Sequence, residues 1–181
     1  RASGTTSITL GTFATVSATS VEVTYNNAGS ASAASVTVGS ITKTLGVAAN
    51  SGSVEVTGFS ATILDFVTLT GDFGFAKTGA VLVAVADSAV ARLDAGALQV
   101  GVTGGSLALS IDSVTSKMAL RASGTTSIAL GTFATVSATS VEVTYNNNTT
   151  TDSAASVTVG SITKTLGVAA NTGSVSVTGF N

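Results

Sequence analysis

Short segments in which a small residue is followed by alternating apolar ones recur along the chain. They are SITL from Ser7, SVTV from Ser35, SVEV from Ser53, AVLV from Ala80, SLAL from Ser106 and SIAL from Ser127. Alternation with period two marks a strand with one buried face. No stretch of useful length carries the 3.6-residue period of a helix. The segment starts are 28, 18, 27, 26 and 21 residues apart, a mean of 24.

The turns between segments can be tested for register. Gly104-Gly105 is a two-residue hairpin signal. Pairing Thr103 with Ser106 sets Val102 opposite Leu107, Val100 opposite Leu109 and Leu98 opposite Ile111, all six on one face. Similar facing follows for turns at residues 124–126 (Ala122 opposite Ile128) and 77–79 (Phe75 opposite Val81). It follows too at Asn50-Ser51 (Val47 opposite Val54) and across residues 28–31 (Tyr25 opposite Val36). Kinks are expected after these hairpins, at GTF 11–13, GSI 39–41, TGF 57–59, VAD 85–87 and SID 110–112, where glycine suits a bulge or bend. The pattern predicts an all-β fold. Mainly antiparallel hairpins curl into an elongated sandwich or rod-like sheet, with about ten strands per unit. A parallel β-solenoid with coils of 24 residues is the alternative.

A much stronger repeat overlies this rhythm. Residues 1–60 recur at 121–181 with 52 identities. The single changes are Thr9/Ala129, Ser51/Thr172, Glu55/Ser176 and Ser60/Asn181, and the loop AGSA at 28–31 becomes NTTTD at 148–152. Residues 1–120 therefore read as one complete unit and 121–181 as the first half of the next. The frame and the start at Arg1 are expected of a fragment of a longer array, with further copies on both sides.

Composition narrows the functional classes. Hydrophobic residues make up 44% and charged residues only 9%, against about 25% in an average globular chain. A net charge of −2 gives no electrostatic drive toward nucleic acid or an anionic membrane. The chain has no Cys, His, Trp or Pro. Zinc, haem and iron–sulfur groups lose their usual ligands, and no disulfide framework exists. Zero proline suits a chain hydrogen-bonded along most of its length. The longest uncharged apolar run, residues 80–86, falls far short of the roughly 20 residues of a membrane helix.

Candidate chemistry is sparse. SITK at 40–43 and 161–164 has the Ser-x-x-Lys spacing of some acyl-transfer enzymes. In a strand that spacing points the two side chains to opposite faces, so the lysines read as exposed residues that blunt a surface strand. Asp72-Phe73-Gly74 spells a kinase metal triplet without its partner loops; Asp72 is expected at a turn, with Phe73 and Phe75 inward. The acids Glu22, Glu55, Asp65, Asp72, Asp87, Asp94 and Asp112 read as turn and solubility residues, with Arg92 neutralising Asp94 and Asp87. Calcium, which takes oxygen ligands only, is the one metal such acids suggest, through pairs meeting across strands. Threonine rows such as TVSATSVEVT lack the regularity of an ice-binding array. Asn147 and Asn148 begin glycosylation sequons that the first copy lacks, and Tyr25 and Tyr145 are expected to cap hairpins on the core side. No carboxylate pair in a cleft is legible for acid–base work. No catalytic, cofactor or metal residue is assigned, and no enzyme is expected.

The stretches VTLTGDFGFAKTGAVL, LQVGVTGGSLALSI and ALRASG resemble the long tandem repeats of giant bacterial cell-surface and adhesin-like proteins. The resemblance implies an extracellular stalk, filament or sheath that holds a functional tip away from the cell, and it carries no site residues. The expected partners are neighbouring repeats of the same chain, with lateral or end-to-end self-association, and neither nucleic acid nor a membrane span. A binding module using loops such as 26–34 is the alternative; an outer-membrane barrel segment and an ice-binding array are weaker ones.

Overall fold

The computed structural model describes residues 1–64, 66–149 and 155–181. These form thirteen strands and no helix: β1 (Ala2–Leu10), β2 (Ala14–Asn26), β3 (Ser35–Val38), β4 (Ile41–Thr44), β5 (Ser51–Ile63), β6 (Val67–Thr78), β7 (Val81–Ala95), β8 (Leu98–Asp112), β9 (Lys117–Leu130), β10 (Ala134–Asn146), β11 (Ser156–Val159), β12 (Ile162–Thr165) and β13 (Thr172–Phe180). Nine of them make one open sheet in the order β1-β2-β5-β6-β7-β8-β9-β10-β13, and β3–β4 and β11–β12 are separate hairpins. Every ladder of the large sheet is antiparallel. The fold is thus all-β and antiparallel as expected, and the parallel-solenoid alternative is excluded. Eight strands, not ten, precede the point where β9 begins to repeat β1.

The strands are fewer because they are longer. β5 to β10 run 12 to 15 residues each, and several of the expected turns lie inside them. Gly104-Gly105 is a bulge in the middle of β8, between Thr103 and Ser106, and not a hairpin turn. Residues 124–126 lie within β9, and Tyr25 pairs with Gly52, not with Val36. Val47 lies in a loop, while Val54 pairs with Val23 and Phe75. Only the turn near Gly79 is where expected, and its register differs: Thr78 pairs with Val81 and Phe75 with Ala84.

The two-residue hairpin turns share one signature. Val38 and Ile41 flank Gly39-Ser40, Thr78 and Val81 flank Gly79-Ala80, Ala95 and Leu98 flank Gly96-Ala97, and Val159 and Ile162 flank Gly160-Ser161. The glycines have φ of 61°, 58°, 69° and 58°. A Gly-X loop with positive φ at its first residue is a turn whose twist matches the flanking strands.

Bulges recur near the middle of most strands, at Gly4/Thr6, Val56/Phe59, Thr70/Asp72, Ala86/Ala89, Thr103/Ser106 and Ala138/Val141. Their effect is on facing. β9 keeps one parity throughout, so Met118, Leu120, Ala122, Thr126, Ile128 and Leu130 lie on one face. They pair with Ile111, Leu109, Leu107, Val102, Val100 and Leu98 of β8. The six β8 residues share a face, as their alternation predicted, but as two halves of one bulged strand. Without the extra residue half of them would turn over.

The opposite face of the sheet carries the second layer. Hairpin β11–β12 leaves after β10 and contacts β8, β7, β6 and β5. Val157, Val159, Ile162, Leu166 and Val168 pack on Val85, Ala108 and Ala119, with Ala76 and Val83 at the border. That is the main buried core. The broad apolar face stays partly open, with Tyr25, Phe75, Val100, Ile128 and Leu130 exposed. Tyr25 therefore does not cap a core.

Candidate functional site

The contact between β11–β12 and the sheet is where sequence 77 to 106 residues apart is brought together, and it is built from small residues. Val159 and Ile162 are paired, as are Val157 and Lys164, so all four side chains face the sheet. Thr158 and Thr163 point the other way and share a 2.9 Å hydroxyl hydrogen bond. Beneath Val159 lies Gly74 of β6. A Cβ at Gly74 would stand 2.7 Å from the Val159 Cβ and 2.8 Å from Val85 Cγ2. The hairpin can approach because that position is bare.

Two polar contacts fix the hairpin's position. Lys164 donates to Asp87 Oδ1 as an ion pair, with the lysine side chain mostly buried. This corrects the expectation of an exposed, strand-blunting lysine for the second copy. The bond and charge of Lys164 hold the Asp87 carboxyl below its ordinary range. At the tip, Ser161 donates from its backbone N–H (2.9 Å) and its hydroxyl (2.5 Å) to Glu55 Oε1. Ser161 and Lys164 thus reach different acids on different strands, and the Ser-x-x-Lys spacing forms no catalytic pair.

The base of the hairpin is held by an asparagine that strand patterning passed over. Asn146, almost fully buried, donates to the Val168 carbonyl (2.8 Å) and accepts from the backbone N–H and the side-chain amide of Asn148 (2.9 and 2.8 Å). Its counterpart Asn26 donates to the carbonyls of Ser30 and Val47 and accepts from the Ala28 N–H. An Asn that bonds the backbone two residues on is an Asx turn, so TYNN was the available signal. Asn147 accepts from the Met118 N–H at 2.6 Å and donates to the Ser116 carbonyl, which engages the first sequon's side chain. Residues 150–154, including part of the variable loop and of the second sequon, lie outside the described residues.

The remaining acids are dispersed. Asp72 sits mid-strand rather than at a turn, opposite Asp87 across the β6–β7 ladder, and accepts from the Gly58 N–H at the β5 bulge (2.6 Å). Phe73 meets Phe59 edge-on at 5.8 Å, while Phe75 is exposed instead of inward. Arg92 pairs with Asp94 at 2.9 Å, and not with Asp87. Arg1–Glu22 and Arg121–Glu142 are equivalent cross-strand pairs in the two copies. Asp112 accepts from the N–H groups of Val114 and Thr115, which lower its pKa and close the β8–β9 turn. Asp65, one of the acids considered as a calcium ligand, lies outside the described residues. Among the described residues no three acids gather into a cation site, and no helix is long and apolar enough to cross a membrane. On the apolar face Val23, Tyr25, Val54, Phe75 and Leu82 line an open groove of about 490 Å³. No known protein family, curated protein or solved structure matches the chain.

Proposed function

We propose that this chain is a structural extracellular repeat, part of a stalk, filament or sheath of a large bacterial surface protein of the adhesin-like kind. One observation carries the reading. The sheet runs unbroken from the first copy into the second, and β9, β10 and β13 take the places of β1, β2 and β5 in the same strand order. A sheet that grows by identical increments sets length and holds no singular cleft. Each unit contributes six strands to it: β1, β2, β5, β6, β7 and β8. Surface chemistry based on Ser and Thr, and few charges, supports a role in cohesion rather than recognition of a charged ligand. The open apolar face, with Tyr25, Phe75 and Ile128 exposed, supports lateral self-association.

The test is location. Antibody raised against the chain should label intact cells of the encoding organism, on material extending beyond the envelope. Labelling that requires lysis contradicts the proposal.

A further inference from the structure

We propose that β3–β4 is a clasp that docks on the sheet of another repeat unit, the same surface on which β11–β12 is seated. The inference rests on the repeat reading above. The two hairpins have identical sequence over residues 32–50 and 153–171, yet their surroundings differ completely. Val157, Val159 and Ile162 are 5%, 2% and 6% exposed, while their counterparts Val36, Val38 and Ile41 are 47%, 74% and 63% exposed. All eight strand residues of β3–β4 are exposed. A hairpin that shows three large apolar side chains to water, in a sequence that buries them elsewhere, lacks its partner surface.

Direction identifies that partner. β11–β12 leaves the sheet after β10 and lies back over earlier strands, down to Glu55 on β5. β3–β4 leaves after β2, and only β1 precedes it in the sheet. A hairpin following the same course would pass β1 and meet the strands of a unit on its far side. The spacing fits a continuous row: residues 158–160 at the tip of β11–β12 come up against residues 45–48 at the base of β3–β4, across a shared hollow. Successive hairpins would thus tile one face of the sheet, tip to base. Each would carry its lysine to an Asp87 equivalent, as Lys164 does, and its serine to a Glu55 equivalent, as Ser161 does, where the unit beneath has Glu and not the serine of Ser176. The clasp locks adjacent units by side-chain packing in addition to the strand ladder.

Hydrogen exchange decides the matter in two steps. In the 181-residue chain, the amides of β11–β12 should exchange at least roughly 100-fold more slowly than those of β3–β4. Equal protection would overturn the proposal, because the hairpin would then be ordered without docking. The second step is a tandem in which residues 1–120 precede the full chain. Its middle hairpin should gain the protection of the last one, while the first stays unprotected. A middle hairpin that still exchanges like the first, beside a protected last one, also overturns it. Scattering from the same tandem separates the two readings. An elongated particle with an unprotected middle hairpin removes only the clasp, whereas a compact globule removes the structural-repeat reading itself.

Discussion

Gly74 and Lys164 show how single residues decide whether the hairpin seats. Gly74→Ala should release β11–β12, because its methyl would overlap Val159 and Val85. Overpacking of this kind costs about 1–3 kcal/mol, read as a lower Tm and faster exchange in β11–β12. Gly101→Ala on β8 is the control. Its Cβ would meet only the Ala91 carbonyl, at 3.8 Å, and Tm should hold or rise. The Lys164–Asp87 pair predicts a pH response. Asp87 is depressed in the folded state, so its contribution is present above its unfolded value, about 3.9. It is lost as pH falls through the lower folded value. Protection of the β11–β12 amides, relative to their intrinsic exchange rates, should therefore fall below about pH 4, and Lys164→Ala should remove that component; an unchanged acid profile in the variant counts against the pair. Neither residue was legible. Lys43 and Lys164 have the same neighbours in sequence, and only the presence of sheet beneath one of them makes it a buried ion-pair partner. Glu55 was equally silent, since the other copy has Ser176 at that place.

At the scale of elements, alternation was legible and chain reversal was not. The apolar faces of β8 and β9 follow directly from period two, and the six β8 residues share the face they were assigned. Gly104-Gly105 reads as a turn because glycine serves positive φ in turns and in bulges alike. What separates them is the flanking sequence. The real two-residue turns are Gly-Ser or Gly-Ala, and β8 continues on both sides of its glycine pair. A parity test cannot choose between a two-residue hairpin and an interior bulge, because both preserve facing. Deleting Gly104 does distinguish them. In a bulged strand the deletion turns either Leu98, Val100 and Val102 or Leu107, Leu109 and Ile111 to the hairpin side, opposing both β7 and β9. Cooperative thermal unfolding should be lost or Tm should fall steeply. A variant that melts like the parent would contradict the bulge.

At the scale of the molecule, the repeat frame was the most legible feature of all, since 52 identities need no physics to detect. Its consequence was less so. The sequence divides into units, but the structure joins them twice, through an unbroken strand ladder and through a hairpin that crosses the boundary. The central claim is that such a unit adds length. Six sheet strands per unit, at about 4.8 Å each, add roughly 29 Å along the sheet. Small-angle scattering from proteins of two, three and four units tests this most directly. The account predicts a maximum dimension that rises by that increment at constant cross-section. A dimension that grows only as the cube root of mass, with a widening cross-section, would contradict it.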